Sequence, residues 1–393
     1  MKVALVHDRL CILGGSERVF QYICQTFPDA DVYTLAYDRS IALPYFASRS
    51  IRTTWLDPFV RSPMAFKLAF PIATRVMEST RLTGYDLVLS SSATVAKYVT
   101  VVGGTHVCYC YMPTRAIWQA DAYFNRNSIK AQVFFRFQQH LQRRDYRASQ
   151  RVDRFITISE MSRRFIRQYY DRDSEIIPCP IDLSVFYSAP KQDHYLLVSR
   201  LEHWKRVDYA IEAFNRLGLP LRIVGTGEEE RRLRAMARPN ITFLGAVDDH
   251  ALAREYSQAR AVVFTPYLEY GLIPLEANAS GTPVICYGKG GVLETMIPLG
   301  DSGDAAPTAV FFDDQTAESL IGAIRQFESR CFDPVALMAH ASQWGVPAFQ
   351  EKIKRSALAA VGTRHGGGNG SRPRDALVAH SARVKRAKVG VDH

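Results

Sequence analysis

Along most of this chain, short apolar runs alternate with longer stretches of helical period. The runs are VALVH (3–7), DVYTLAY (31–37), YDLVLSSS (85–92), HVCYCY (106–111), RFITIS (154–159), YLLVSR (195–200), LRIVGTG (221–227), ITFLG (241–245), AVVFTPY (261–267) and TPVICYG (282–288). Runs this short, bounded by Gly, Pro and Asp and separated by helical segments, predict βα units around parallel sheets. The pattern breaks over 177–194, where IPCPIDLSVFYSAPKQDH holds three prolines and no helical period, as an interdomain linker would. The predicted fold is therefore α/β, with two doubly wound, Rossmann-like domains over 1–180 and 190–345. A helix over 346–361 is expected to cross back to the first domain. Beyond it, the Gly-, Arg- and Lys-rich segment 362–393 is expected to be disordered. Ligands of paired α/β domains gather at the carboxyl ends of the strands, so chemistry is expected in a central cleft.

A length of 393 residues suits two cores better than one, and a 47% hydrophobic content is enough to fill both. The absence of a long apolar run and of a signal-like N-terminus places the chain, as an expectation, in the cytoplasm. Its seven scattered cysteines have no paired spacing and read as reduced, mostly buried residues. A net charge of +10 favours anionic partners: nucleic acid, lipid headgroups or phosphorylated small molecules. Nucleic acid is the weakest of these, because no recognition motif accompanies the charge.

Three segments carry candidate chemistry. After the first strand, His7-Asp8-Arg9 leads to Gly14-Gly15 and a helix start; backbone amides there would receive a diphosphate, or the pair is an ordinary tight turn. In the second half, Arg200 ends a strand and Lys205 follows, two cations suited to a leaving diphosphate, or else a surface cluster tied to Glu202 and Asp208. The third segment is YLEYGLIPLEANASGTPVI (267–285). Pro274 suits a first helical turn, which makes Gly271, Leu272 and Ile273 a loop with amides directed at a phosphate. Glu276 then falls in the first turn, placed to accept hydrogen bonds from a ribose.

With these motifs in order, the chain resembles glycosyltransferase family 4, retaining enzymes of GT-B architecture, and within it the mannosyltransferase-like members of bacterial O-antigen and exopolysaccharide synthesis. The resemblance runs from VALVHDRL and GGSERV through CYCYMPTRAIW and SRLEHWKRVDYAIEAF to GLIPLEANASGTPVICYGKGGVLETM. It implies that Arg200 and Lys205 bind and stabilise the donor diphosphate. Gly15 and the amides of Gly271, Leu272 and Ile273 would line the phosphate site, Glu276 would hold the ribose, and Val247 would lie near the base. The donor it favours is GDP-mannose, the acceptor a lipid-linked (polyprenyl-diphosphate) glycan. No cofactor is expected; with no Asp-x-Asp motif, the two cations would stand in for a metal.

Three positions depart from the family pattern: Leu268 stands where a glutamate is usual, with Glu269 one step later; Tyr111 replaces a histidine; and Ile158 replaces an asparagine. These leave a second reading open, a catalytically impaired partner subunit of a polysaccharide-assembly complex. Two basic and apolar segments, 59–78 and 128–155, suit an anionic membrane surface on the inner face of the cytoplasmic membrane, or else are ordinary helices buried on one side.

Overall fold

The computed structural model describes residues 1–42, 44–119, 129–300 and 306–366. It divides into two units, Met1–Pro178 with the chain from Gln350 onward, and Cys179–Phe349. The first contains β1 (Val3–His7), β2 (Asp31–Thr34), β3 (Ile51–Arg52), β4 (Arg81–Thr83), β5 (Leu87–Ser92), β6 (Thr100–Val102), β7 (Thr105–Cys110), β8 (Arg154–Thr157) and β9 (Ser174–Ile176). Its main sheet is parallel, in the order β3-β2-β1-β5-β7-β8-β9, with β4 and β6 forming a separate parallel pair. The second unit contains β10 (Tyr195–Val198), β11 (Leu221–Val224), β12 (Ile241–Gly245), β13 (Val262–Phe264), β14 (Val284–Tyr287) and β15 (Ala309–Phe312). Its sheet is also parallel, in the order β12-β11-β10-β13-β14-β15.

In both sheets the winding direction reverses beside the first strand: between β1 and β5 in one, between β10 and β13 in the other. At such a reversal the flanking loops part, and a crevice opens beyond the strands' carboxyl ends. The central strands are buried on both faces, as βα packing requires, which is why they read as unbroken apolar runs rather than as alternation. Helices on the two faces bury their apolar stripes in separate clusters, for instance Val207, Ala210, Ile211 and Phe214 against Leu320 and Ile324.

The proline-rich stretch is not a free linker. Ile177 still pairs with Thr157 of β8, and from Cys179 the chain packs on the second unit, where the Ile181 amide bonds the Trp344 carbonyl at 2.9 Å. Prolines and missing period mark extended chain there, but Ile181 is buried. The C-terminal helix is Val346–Gly366, ending past the limit that composition suggested, and from Gln350 it belongs to the first unit. Residues 367–393, most of the segment expected to be disordered, lie outside the described residues.

Candidate functional site

In the second unit the named residues follow the two strands that flank the reversal. From β10 the chain runs through Arg200 into the short turn His203–Lys205; from β13 it runs through Thr265 into the helix Leu272–Ala279. Thr265 ties the two loops together. Its hydroxyl donates to the Lys205 carbonyl at 2.7 Å, and its own carbonyl accepts from the Tyr209 hydroxyl at 2.7 Å and from Gln315 at 3.0 Å. The Lys205 ammonium lies 4.0 Å from the Trp204 ring centroid, a cation–π contact that holds the charge near the loop surface. Arg206, next in line, adopts a left-handed backbone (φ 53°), a costly conformation for a branched-chain-free but bulky residue, and starts the helix Val207–Leu217.

Arg200 is exposed and pairs with Glu202 at 3.2 Å, while Asp208 pairs with Arg206 at 3.3 Å. The surface-cluster alternative thus describes Arg200's present partner. An exposed ion pair of this kind is worth at most about 1 kcal/mol, so a dianionic ligand would displace Glu202 at little cost.

The helix Leu272–Ala279 corrects two expectations. Leu272 and Ile273 are its first two residues rather than a loop, and Glu276 is the fifth, beyond the first turn. Proline fits any position of the first turn, whose amides have no partner inside the helix, so Pro274 is equally compatible with a start at 272, 273 or 274. Gly271 caps the helix with no side-chain bond, whereas Asp248 and Thr316 cap theirs by accepting from Ala251 and Ser319. The uncapped first-turn amides suit an anion. Glu276 accepts a hydrogen bond from Tyr256 at 2.8 Å. Burial, and then the Glu276 carboxylate, push the Tyr256 phenol well above its ordinary pKa, so it remains a donor that fixes the carboxylate from the protein side.

Glu269 is buried, and Leu268 is packed partly into the core that also receives Val247, Leu272 and Ile273. The Leu268 carbonyl accepts from the Gly291 amide at 2.8 Å. A Cβ on Gly291 would overlap the Glu269 carbonyl, which explains the glycine pair 290–291: two backbones meet there.

In the first unit, Gly15 is the exposed first residue of the helix Gly15–Thr26, again capped by a glycine without a side-chain bond. Tyr111 is directed into the protein. Its hydroxyl donates to the Ser16 carbonyl at 3.0 Å and meets the Ser91 hydroxyl at 3.0 Å, which lies 3.1 Å from His7 Nδ1. The other His7 nitrogen is 3.5 Å from the buried Glu17 carboxylate. Since Tyr111 donates to a carbonyl, Ser91 donates to Tyr111 and His7 Nδ1 to Ser91. Ile158 is buried just beyond β8.

Sequence reasoning missed this network and the anchor beside it. Asp8 accepts from the amides of Ala93 and Thr94 (2.7 and 2.8 Å) and of Val95 and Ala96 (2.7 and 2.6 Å), pinning the loop after β5 to the end of β1. The signal available was the polar run Ser90-Ser91-Ser92 closing an apolar strand. Among the described residues no group of three His, Cys, Asp or Glu side chains is placed to hold a metal ion.

Two family models match consecutive parts of the chain: Glycosyltransferase Family 4 over residues 13–185, and Glycosyl transferases group 1 over 185–333. A phosphatidyl-myo-inositol mannosyltransferase of Mycolicibacterium smegmatis is 29% identical over 194 residues, 44% of this chain and 49% of that protein. The match spans less than half the length of the curated relatives it reaches. Among solved structures, sucrose-phosphate synthase from Thermosynechococcus elongatus superposes with a TM-score of 0.69 at 18% identity, over 92% of this chain and 100% of that one. Anabaena Alr3699/HepE in complex with UDP-glucose gives 0.67 at 16%, over 91% and 100%. Two parallel-sheet units that superpose on these solved structures give this chain the GT-B fold, and consecutive stretches of it, from residue 13 to residue 333, are similar in sequence to family 4 and group 1 glycosyltransferases.

Proposed function

We propose that the protein is a retaining glycosyltransferase that moves a sugar, with mannose from GDP-mannose favoured, to a lipid-linked oligosaccharide in polysaccharide assembly at the inner face of the cytoplasmic membrane. The observation that carries the reading is the convergence of Lys205, Arg200, the uncapped helix start at Leu272 and the Tyr256-held Glu276 on loops leaving the two strands of one reversal point. The mannosyltransferase relative supports the sugar, while the UDP-glucose bound by a structural neighbour keeps the base open to test.

In this reading the amides of Gly271, Leu272 and Ile273 and the two cations hold the diphosphate, Glu276 takes the ribose hydroxyls and Val247 lies by the base. The bond from the anomeric carbon to the phosphate oxygen breaks as the acceptor oxygen bonds to the same face. The acceptor's proton passes to the departing phosphate, whose charge Arg200 and Lys205 neutralise without a metal.

A second reading, nucleotide binding without transfer in a partner subunit, is favoured by Leu268 and by the Tyr111 hydroxyl being bonded to Ser16 and Ser91. A metal-free thermal-shift series with GDP, UDP, ADP and their sugar conjugates tests the proposal. One diphosphate at 100 times its dissociation constant should stabilise the protein by about 2.7 kcal/mol, and Glu276→Ala should abolish the shift. Binding without release of sugar from any conjugate, with and without membrane extract, would establish the partner-subunit reading; no shift from any nucleotide would overturn both.

A further inference from the structure

The helix Pro63–Ser79 is apolar on two sides. Phe66, Ala73, Val76 and Met77 are buried in the core of the first unit, as an amphipathic helix requires. On the opposite side, at helical spacing, stand Met64, Lys67, Leu68, Pro71, Ile72 and Arg75, all exposed. Just before the helix, Trp55 and Phe59 are exposed while their neighbours Leu56 and Val60 are buried. The five large apolar side chains of this stretch, Trp55, Phe59, Met64, Leu68 and Ile72, are between 50% and 76% exposed. Such a concentration of apolar surface within eighteen residues marks a contact surface rather than ordinary scatter.

Its charge identifies the occupant. Arg61, Lys67 and Arg75 are interleaved with the apolar residues, and the only acid between positions 53 and 77 is Asp57, held by Arg61 through bonds of 3.0 and 3.1 Å. Long basic side chains beside a Leu and Ile stripe place their charges at headgroup level while the apolar groups enter the acyl boundary. A second copy fits less well: a two-fold contact would bring Lys67 and Arg75 toward their own copies with no unpaired acid to meet them. Among the described residues no helix is long and apolar enough to cross a membrane, so the contact is one of lying on a surface.

The other basic segment, 128–155, is described in part. Within the helix Ile129–Gln150, Leu141, Tyr146 and Ala148 are buried, and the outward positions from 136 on are Arg, Gln and His apart from Phe137. From 136 on, the helix is thus buried on one side, with Asp145 inside and basic residues outside, while the side chains of 128–135 lie outside the described residues.

We propose that Trp55, Phe59 and the Met64-Lys67-Leu68-Ile72-Arg75 face seat the first unit on an anionic lipid bilayer. This deepens the membrane-side part of the proposed function and requires no transfer activity. The test is flotation of the full chain with phosphatidylcholine vesicles, with and without phosphatidylglycerol, in the absence of nucleotide. The protein should float only with the anionic vesicles, and less at high salt. Lys67→Glu with Arg75→Glu should weaken the partition by roughly thirtyfold or more, at about fivefold per basic residue lost. Leu68→Ser with Ile72→Ser should weaken it by about tenfold with an unchanged melting temperature, since both side chains face solvent. Failure of the wild type to float with anionic vesicles, or flotation of both double variants at wild-type level, would overturn the proposal. A dimer in size-exclusion that the Leu68→Ser and Ile72→Ser variant dissociates would also overturn it, by giving the face to a second copy. A nucleotide-induced thermal shift without flotation would sink this inference and leave the donor reading standing.

Discussion

His106 shows how much a single buried side chain decides. It sits wholly inside the first unit with Nε2 2.9 Å from the Ser90 hydroxyl, and burial lowers its pKa from 6.5 to about 4, overriding the nearby Asp153. The unfolded chain therefore takes up a proton between pH 6.5 and 4 that the folded chain refuses. Stability contributed by the neutral ring is full above pH 6.5 and is lost as pH falls toward 4, by about 3 kcal/mol. Urea titrations across that window should show the slope, and His106→Gln should flatten it. A second buried group, Lys97, meets Asp145 at 2.9 Å, and the same carboxylate accepts from Tyr98, Trp118 and Tyr170 at 2.6–2.7 Å. Neither cluster was legible in the sequence, because His106, Lys97 and Asp145 carry no local pattern that distinguishes a buried polar group from a surface one. Arg200, Lys205 and Glu276 stand out as candidates in the sequence because they sit next to strand ends, glycines and a proline whose local meaning is strong.

At the scale of elements, the site depends on two loops meeting backbone to backbone. Gly291 lies against the Glu269 carbonyl, so Gly291→Ala must displace the 267–271 segment and with it the start of the helix at Leu272. We expect a loss of about 1–3 kcal/mol and a diminished nucleotide shift, measured by thermal melting with and without ligand. Gly322→Ala is the control: nothing lies within 4 Å of its Cβ position in the helix Ala317–Glu328, and alanine there should be neutral or stabilising. The strands that the apolar runs marked all formed; in the central ones burial on both faces leaves an unbroken signature, while Asp31–Thr34 alternates and Ile241–Gly245 is only partly buried. Those missed are short or lie at edges. Ile51–Arg52 has two residues, Arg81–Thr83, Thr100–Val102 and Ser174–Ile176 have three, and Ala309–Phe312 closes the second sheet at its outer side. Runs of that length hold too few positions to show a period.

At the scale of the whole molecule, the chain leaves the first unit at Pro178 and re-enters it at Gln350. The returning helix buries Ile353, Ala357 and Ala360, and it is anchored by Ser356 to Glu175 at 2.6 Å and by Gln350 to the Tyr22 carbonyl at 3.2 Å. Truncation after Phe349 should therefore destabilise the first unit by about 3 kcal/mol, lowering its calorimetric transition by roughly 10 °C. The sequence by itself determined the α/β class and the division into two doubly wound units, and it marked the strand ends where candidate residues gather, since each is written in local periodicity and turn chemistry. Tertiary structure alone decided which strands flank each reversal point, that Glu276 lies past the first helical turn with Tyr256 as its partner, and that Tyr111 points inward to Ser91 and Ser16. It also decided that the helix Pro63–Ser79 leaves an apolar face in water. These follow from contacts between residues far apart in the chain, and the period of hydrophobic positions says which face of an element is apolar but not what covers it.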